Sequence, residues 1–116
     1  MKYIYLIFIS FFLQQNSFAS NCYPANDASR VTVAGGSITE ILYMIDAEDS
    51  IIAVDLTSNF PERAKNHPQI GYVRALSAEG ILSLGPTIII GEDDMGPPAV
   101  LDQINRTGVE VVIVPE

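Results

Sequence analysis

Basic residues are scarce in this sequence: Lys and Arg number six against fourteen Asp and Glu, for a formal net charge of −8. Such a chain has no cationic patch with which to neutralise phosphates, which argues against nucleic acid as a partner. Tryptophan is absent, and cysteine and histidine occur once each, as Cys22 and His67. One cysteine cannot form an internal disulfide, whatever the compartment permits. Nor can one cysteine and one histidine make a Cys/His zinc site, which needs three or four ligands. A catalytic site needs several convergent groups, so His67, between Asn66 and Pro68, is expected to be a solvated loop side chain. No G-x-S-x-G elbow surrounds Ser37, no G-x-G-x-x-G follows a strand pattern, and no P-loop is present. These absences point away from enzymatic catalysis and toward binding. No apolar run reaches the roughly 20 residues of a spanning helix.

The first twenty residues carry an export signal. Lys2 supplies a positive start, Tyr3 to Leu13 is an apolar run, and Ser17-Phe18-Ala19 offers small residues where a signal peptidase needs them. Residues 1–19 are therefore expected to be a signal peptide, with cleavage after Ala19 and no direct membrane insertion of the mature chain. Ala19-Ser20-Asn21 before Cys22 fits a lipobox poorly, because Asn21 is polar and bulky. A soluble periplasmic product is expected over a lipoprotein anchored through Cys22. Residues 20–29 form a linker, and about a hundred residues suffice for one modest core.

From Arg30 onward, short β-branched runs alternate with helical patterns. Arg30 to Val33 reads as a strand ending at Gly35-Gly36. Ser37 is expected to cap a helix, with Glu40 completing a capping box. Ile38, Ile41, Leu42 and Ile45 define the expected buried face of that helix. Ile51 to Val54 is the second strand. Pro61 opens a short helical turn that Pro68 ends, and Gly71 to Ala75 looks extended. Ser77 caps the next helix, with Glu79 in its first turn and Gly85-Pro86 beyond its end. Thr87 to Ile90 is an apolar third strand, expected to be covered on both faces. A loop over Gly91 to Gly96 leads to a helix opened by Pro97-Pro98 and ended at Gly108, and Val109 to Val114 is the fourth strand. Strands alternating with helices in this way indicate an α/β fold, an open parallel four-stranded sheet with flanking helices and Rossmann-like crossovers. Ligands of such sheets gather outside the carboxyl ends of the strands. The segments expected there are Gly35-Gly36-Ser37, residues 55–60, residues 91–96 and Pro115-Glu116.

One stretch, residues 71–80 (Gly-Tyr-Val-Arg-Ala-Leu-Ser-Ala-Glu-Gly), has chemical content. If Tyr72 to Arg74 is extended, the phenol and the guanidinium project to the same side. A nearby cation favours a phenolate, and tyrosinate is a known axial ligand of haem iron. On residue types alone the commoner arrangement is different: a ring packed at a loop edge and an arginine paired with a surface carboxylate.

Residues 71–80, followed by Ile81-Leu82-Ser83-Leu84, resemble the haem-binding branch of the class III (Fe/B12-type) periplasmic substrate-binding proteins of ABC transporters. Ala34 to Ile41, Gly96 to Leu101 and the closing Val111 to Glu116 are similar to the same family, so the resemblance covers residues 30–116. It implies a periplasmic binding protein that delivers haem to an inner-membrane ABC permease with its ATPase. By position it implies Tyr72 as the axial ligand of ferric protoporphyrin IX (haem), with Arg74 beside the phenolate. It also implies Glu79 as a carboxylate docking on the permease, and Gly35, Gly36 and Ser37 as the cleft wall. Members of this family carry a second α/β lobe joined by a long helix. Residues 30–116 would be the N-terminal lobe alone, and the acidic Glu92-Asp93-Asp94 and Gly85 are smaller departures. Three alternatives stay open: a ferric-siderophore or cobalamin binder of the same family, a truncated fragment without function, and a small flavodoxin-like domain. The signal peptide and the missing phosphate motifs argue against the last.

Overall fold

The computed structural model describes residues 23–115; the expected signal peptide, Cys22 and Glu116 lie outside them. Four strands form one parallel sheet: β1 (Val31–Ala34), β2 (Ile51–Val54), β3 (Ile88–Glu92) and β4 (Glu110–Val114). Their spatial order is β2-β1-β3-β4. The chain thus steps outward from β1 to β2, then crosses back to β3 on the other side of β1. That reversal puts a topological switch point between β1 and β3, the place where open α/β sheets leave a crevice. The expected fold class is the observed one.

Helix α1 (Gly36–Met44) covers one face of the sheet, packing Ile38 and Tyr43 against Val31, Val33, Ile51, Val54 and Ile88. Helices α2 (Ala78–Leu82) and α3 (Pro98–Arg106) cover the other, where Ile81, Leu101 and Ile104 meet Ala34 and Ile89. Ile89 has no exposed surface, as the apolar third strand led one to expect. Fully burying a side chain of that size contributes roughly 1.5–3 kcal/mol.

Local signals explain the helix ends. Ser77 Oγ accepts a hydrogen bond from Gly80 N, so the expected cap of α2 is present. Gly85 adopts a left-handed φ of 65° past the end of α2, a conformation that strains other residues. Arg30 donates from Nε to Gly85 O and from Nη2 to Leu84 O, both at 2.7 Å, satisfying carbonyls that the helix leaves free. Pro98 opens α3 at its first position, where a missing N–H costs nothing.

Three expectations fail. Ser37 does not cap α1; Gly35 is the N-cap, with no side-chain capping bond, and Ser37 lies inside the first turn. The reason is a close approach of the loop after β2: a Cβ on Gly36 would stand 2.7 Å from Thr57 O, so the helix begins two residues earlier, on a glycine pair. The buried face of α1 is also rotated. Ile38, Thr39 and Tyr43 are buried, whereas Ile41 and Ile45 are exposed. Finally, Gly71 to Ala75 is not extended. Tyr72 to Ala75 is a turn closed by Ala75 N donating to Tyr72 O at 2.9 Å. The strand-like stretch comes just before it, where Gln69 bridges in parallel to Val54.

Candidate functional site

The carboxyl edge of the sheet is held together by Asp55, which follows β2 and has no exposed surface. Its Oδ1 accepts from Gly35 N at 2.9 Å and Ser58 Oγ at 2.8 Å. Its Oδ2 accepts from Thr57 N at 3.0 Å and Thr57 Oγ1 at 2.7 Å. Ser58 Oγ is in turn 2.7 Å from Thr39 Oγ1 on α1. A buried carboxylate is tolerated only when its lone pairs are filled, and here they clamp the loop after β1 to the loop after β2. Sequence reading missed Asp55. The signal was there, since an Asp followed by Thr two residues on is the pattern of an Asx turn.

Gly35 and Gly36 lie at this edge, and their lack of a Cβ has a definite cause. A Cβ on Gly35 would fall 2.6 Å from Glu92 Cγ, and Gly35 has a φ of 142° that side chains disfavour. Glu92, at the end of β3, accepts from Ser37 N at 3.2 Å and from Ser37 Oγ at 2.5 Å. Gly35, Gly36, Ser37 and Glu92 therefore meet at the carboxyl edge beside the switch point, where the carboxylate suits the positive end of α1.

Tyr72 reaches the same edge because residues 68–70 run alongside β2. Val54 N donates to Pro68 O and Ile70 N to Val54 O, both at 3.0 Å, and Leu56 N donates to Gly71 O at 2.9 Å. The turn that follows is bolted to the loop after β3: Gly96 N donates to Val73 O and Leu76 N to Gly96 O, each at 3.0 Å. Buried Val73 and Leu76 anchor it beneath, leaving the Tyr72 ring 45 % exposed. Leu56 and Phe60, from the loop after β2, are large apolar side chains exposed as well. Leu56, Phe60 and Tyr72 are thus three large apolar or aromatic side chains left exposed after β2.

Arg74 lies on the same turn. Its Nε donates to Asp94 Oδ2 at 2.7 Å. Its pKa is raised above the ordinary arginine value, first by that hydrogen bond and then by charge interactions with Tyr72, Asp94 and Asp93. Tyr72 and Arg74 thus share a turn rather than an extended segment. The commoner arrangement, an arginine paired with a surface carboxylate, is also realised. Glu79 is exposed in the first turn of α2, apart from these contacts.

A second cluster lies at the opposite, amino end of β2, in an open cleft of about 420 Å³ lined by Tyr43, Glu48, Asp49, Ile51, Arg63 and His67. Tyr43 Oη and His67 Nε2 are 2.7 Å apart, Arg63 stacks 5.0 Å from the Tyr43 ring, and Arg63 pairs with Glu48 at 3.0 Å. His67 is thus half-buried and hydrogen-bonded, not the solvated loop side chain expected. The Tyr43 ring that supplies its partner is far away in sequence. Burial lowers the His67 pKa below 6.5. A histidine held neutral contributes stability that is present above its unfolded pKa and lost as pH falls through the folded value. Unfolding by urea should show the midpoint falling as pH drops from 7 toward 5, and His67→Gln should flatten that dependence. An unchanged slope in the variant would remove His67 as its source.

Among the described residues no group of three or more His, Cys, Asp or Glu could hold a metal ion, and no helix is long and apolar enough to cross a membrane. Residues 31–116 match the family described as periplasmic binding protein. The chain belongs to that family. It falls in the class III branch, whose members are solute-binding proteins and not enzymes, as the missing catalytic constellations implied. A periplasmic haem-binding protein from Pseudomonas aeruginosa superposes with a TM-score of 0.73 at 42 % identity, covering 75 % of this chain and 31 % of that one. The periplasmic haem-binding protein RhuT from Roseiflexus sp. RS-1 gives 0.73 at 43 %, covering 77 % and 34 %. A vitamin B12-binding protein from Yersinia pestis is 32 % identical over 88 residues, 76 % of this chain and 31 % of its own length. The vitamin B12-binding protein BtuF of Vibrio cholerae superposes at 0.66 with 26 % identity, over 73 % and 33 %. This periplasmic binding protein chain therefore spans about a third of the length of these relatives.

Proposed function

We propose that this periplasmic binding protein captures ferric haem in the periplasm and delivers it to an inner-membrane ABC importer, a permease with its ATPase. The observation that carries the reading is the exposure of Tyr72 at the carboxyl edge of the sheet, on the same turn as Arg74. A phenol, with an ordinary pKa of roughly 10, ligates iron poorly at neutral pH, because it is mostly protonated. Ferric iron drives most of the deprotonation, since a bound metal favours the deprotonated ligand. Arg74 adds a second positive charge beside the phenolate oxygen. Leu56 and Phe60, also exposed in the loop after β2, offer apolar surface. In this reading Tyr72 is the axial ligand, Arg74 its electrostatic partner, and Gly35, Gly36 and Ser37 the cleft wall. Residues 1–19 are the export signal, and residues 30–116 the N-terminal lobe of a two-lobed binder. The higher identity to the haem-binding structures than to the B12-binding one supports haem. The B12-binding relatives favour cobalamin as the second reading, in which Tyr72 has no ligand role.

Delivery requires a docking group. Glu79, solvent-facing in the first turn of α2, is the carboxylate we assign to the permease. A chromosomal Glu79→Ala, made so that the protein keeps its natural length, should lower growth on haem as sole iron source several-fold. The haem titration of the purified variant should match the parent. Equal loss of uptake and of haem affinity would place Glu79 in the binding site instead, and full growth of a strain lacking the gene would remove haem delivery as its role.

A further inference from the structure

We propose that residues 60–67 form a pH-gated strap: the bond between Tyr43 and His67 latches them to α1, and protonation of His67 opens the segment while the sheet stays folded. The inference goes beyond haem capture and holds whatever the ligand.

The strap is fixed to the sheet at its two ends and by side chains alone in between. Before it, Ser58 Oγ is bound to Asp55; after it, Pro68 O accepts from Val54 N. Among the described residues, no backbone hydrogen bond joins residues 60–67 to another element. Ala64 N donates to Pro61 O and His67 N to Ala64 O, both inside the strap. Three side chains fasten it. Ala64 is buried in the core that also holds Tyr43 and Val54. Arg63 pairs with Glu48 at 3.0 Å and lies 5.0 Å from the centre of the Tyr43 ring. His67 Nε2 is 2.7 Å from Tyr43 Oη. An ion pair with an arginine this exposed adds little, and Ala64 buries only a methyl group, so the half-buried His67 bond is the main polar fastening. Segments with so few contacts open locally, ahead of the core.

His67 is the fastening that titrates near neutral pH. Its neutral ring accepts the Tyr43 hydroxyl proton at Nε2. A protonated ring has no acceptor left, so the Tyr43 hydroxyl loses its partner, and the new charge stands in a half-buried cleft that already holds the Arg63 cation. Burial accordingly lowers the His67 pKa. The acids of the cleft are Glu48 and Asp49, from the turn before β2. Glu48 is committed to Arg63, and neither is hydrogen-bonded to His67. Ile51 of β2 is apolar, and Lys65 and Glu62 on the strap pair with each other at 2.9 Å. An imidazolium is thus better solvated in the open strap. The latch holds above the ordinary histidine value and weakens as pH falls through the lowered one. Exposed Phe60 begins the strap after Ser58, so opening alters the carboxyl edge of the sheet.

Hydrogen exchange followed by ¹⁵N NMR on the ligand-free protein at its natural length tests the strap, once the intrinsic pH dependence of exchange is removed. The Ala64 and His67 amides should open several-fold more often at pH 5 than at pH 7, while the amides of β1 and β3 keep one opening frequency throughout. His67→Gln should remove that pH dependence. Tyr43→Phe should make opening frequent already at pH 7. It should also return the His67 ring, the chain's one histidine and so an unambiguous signal, toward its ordinary titration. Parent strap amides that open equally at both pH values overturn the proposal. Equal acceleration in β1 and β3 overturns it too, because acid would then be unfolding the whole sheet. So does an imidazolium that strengthens the latch, read as slower exchange of Ala64 and His67 in acid. If Tyr43→Phe fails to fold, the pH series of the parent and of His67→Gln decides alone.

Discussion

Tyr72→Phe should lose the tyrosinate charge-transfer band of the ferric haem complex and bind hemin at least about tenfold more weakly, a cost of about 1.4 kcal/mol or more. The substitution keeps the ring and its apolar contact area and deletes only the oxygen. The ring is 45 % exposed, and what anchors the turn is Val73 and Leu76, which are 3 % and 4 % exposed. The fold should therefore be intact, with an unfolding midpoint in urea close to that of the parent. Tyr72→Ala removes the ring as well and should bind more weakly still. Phe at this position does not contact iron through any lone pair, so an unchanged spectrum in Tyr72→Phe means that the iron has another ligand or that haem is not the cargo. The purified protein at its natural length is the material for this titration.

Asp55→Ala should destabilise the protein by about 2–6 kcal/mol, the cost of leaving two buried neutral donors without an acceptor at about 1–3 kcal/mol each. Four donors lose their acceptor together: Gly35 N, Ser58 Oγ, Thr57 N and Thr57 Oγ1. A buried donor left without a partner costs on the order of 1–3 kcal/mol, and Gly35 N and Ser58 Oγ sit in a buried environment. Domains of this size have only about 5–15 kcal/mol of stability in all, so the variant should be partly unfolded at 37 °C. Asp55→Asn retains one acceptor oxygen and places a donor where an acceptor stood, so its loss should be smaller. Urea denaturation of the three proteins measures the order. A variant within about 0.5 kcal/mol of the parent would mean that the clamp between the β1 and β2 loops is not a source of stability.

The architecture was legible in the sequence because its signals are local. The β-branched runs, the cap at Ser77, the left-handed glycine at position 85 and the paired prolines before α3 each act within a few residues of themselves. What was misread depends on distant chain. Ser37 is a good cap by type, yet the carbonyl of Thr57 presses on Gly36 and Glu92 claims the Ser37 hydroxyl, so the helix starts on Gly35. Ile41 and Ile45 fit the period of a buried face, yet Tyr43 turns inward to meet His67 and rotates the helix accordingly. The candidate site was half legible. Tyr72 and Arg74 stood out as residue types, but the extended geometry used to bring them together is replaced by a turn. The groups that hold that turn, Asp94 and Gly96, come from a loop after a different strand. Asp55 was missed because an acid at a strand end is common and its burial shows only once the loops have closed over it.

The roles of Tyr72 and Arg74 turn on the identity of the ligand. The most direct measurement is a side-by-side titration of the purified protein, at its natural length, with hemin and with cobalamin, followed by absorbance. Ligation through Tyr72 predicts a saturable one-site complex with hemin that shows the tyrosinate-to-iron band, and no competition by cobalamin at equal concentration. Saturable binding of cobalamin with hemin left free would contradict it and assign the lobe to a corrinoid binder.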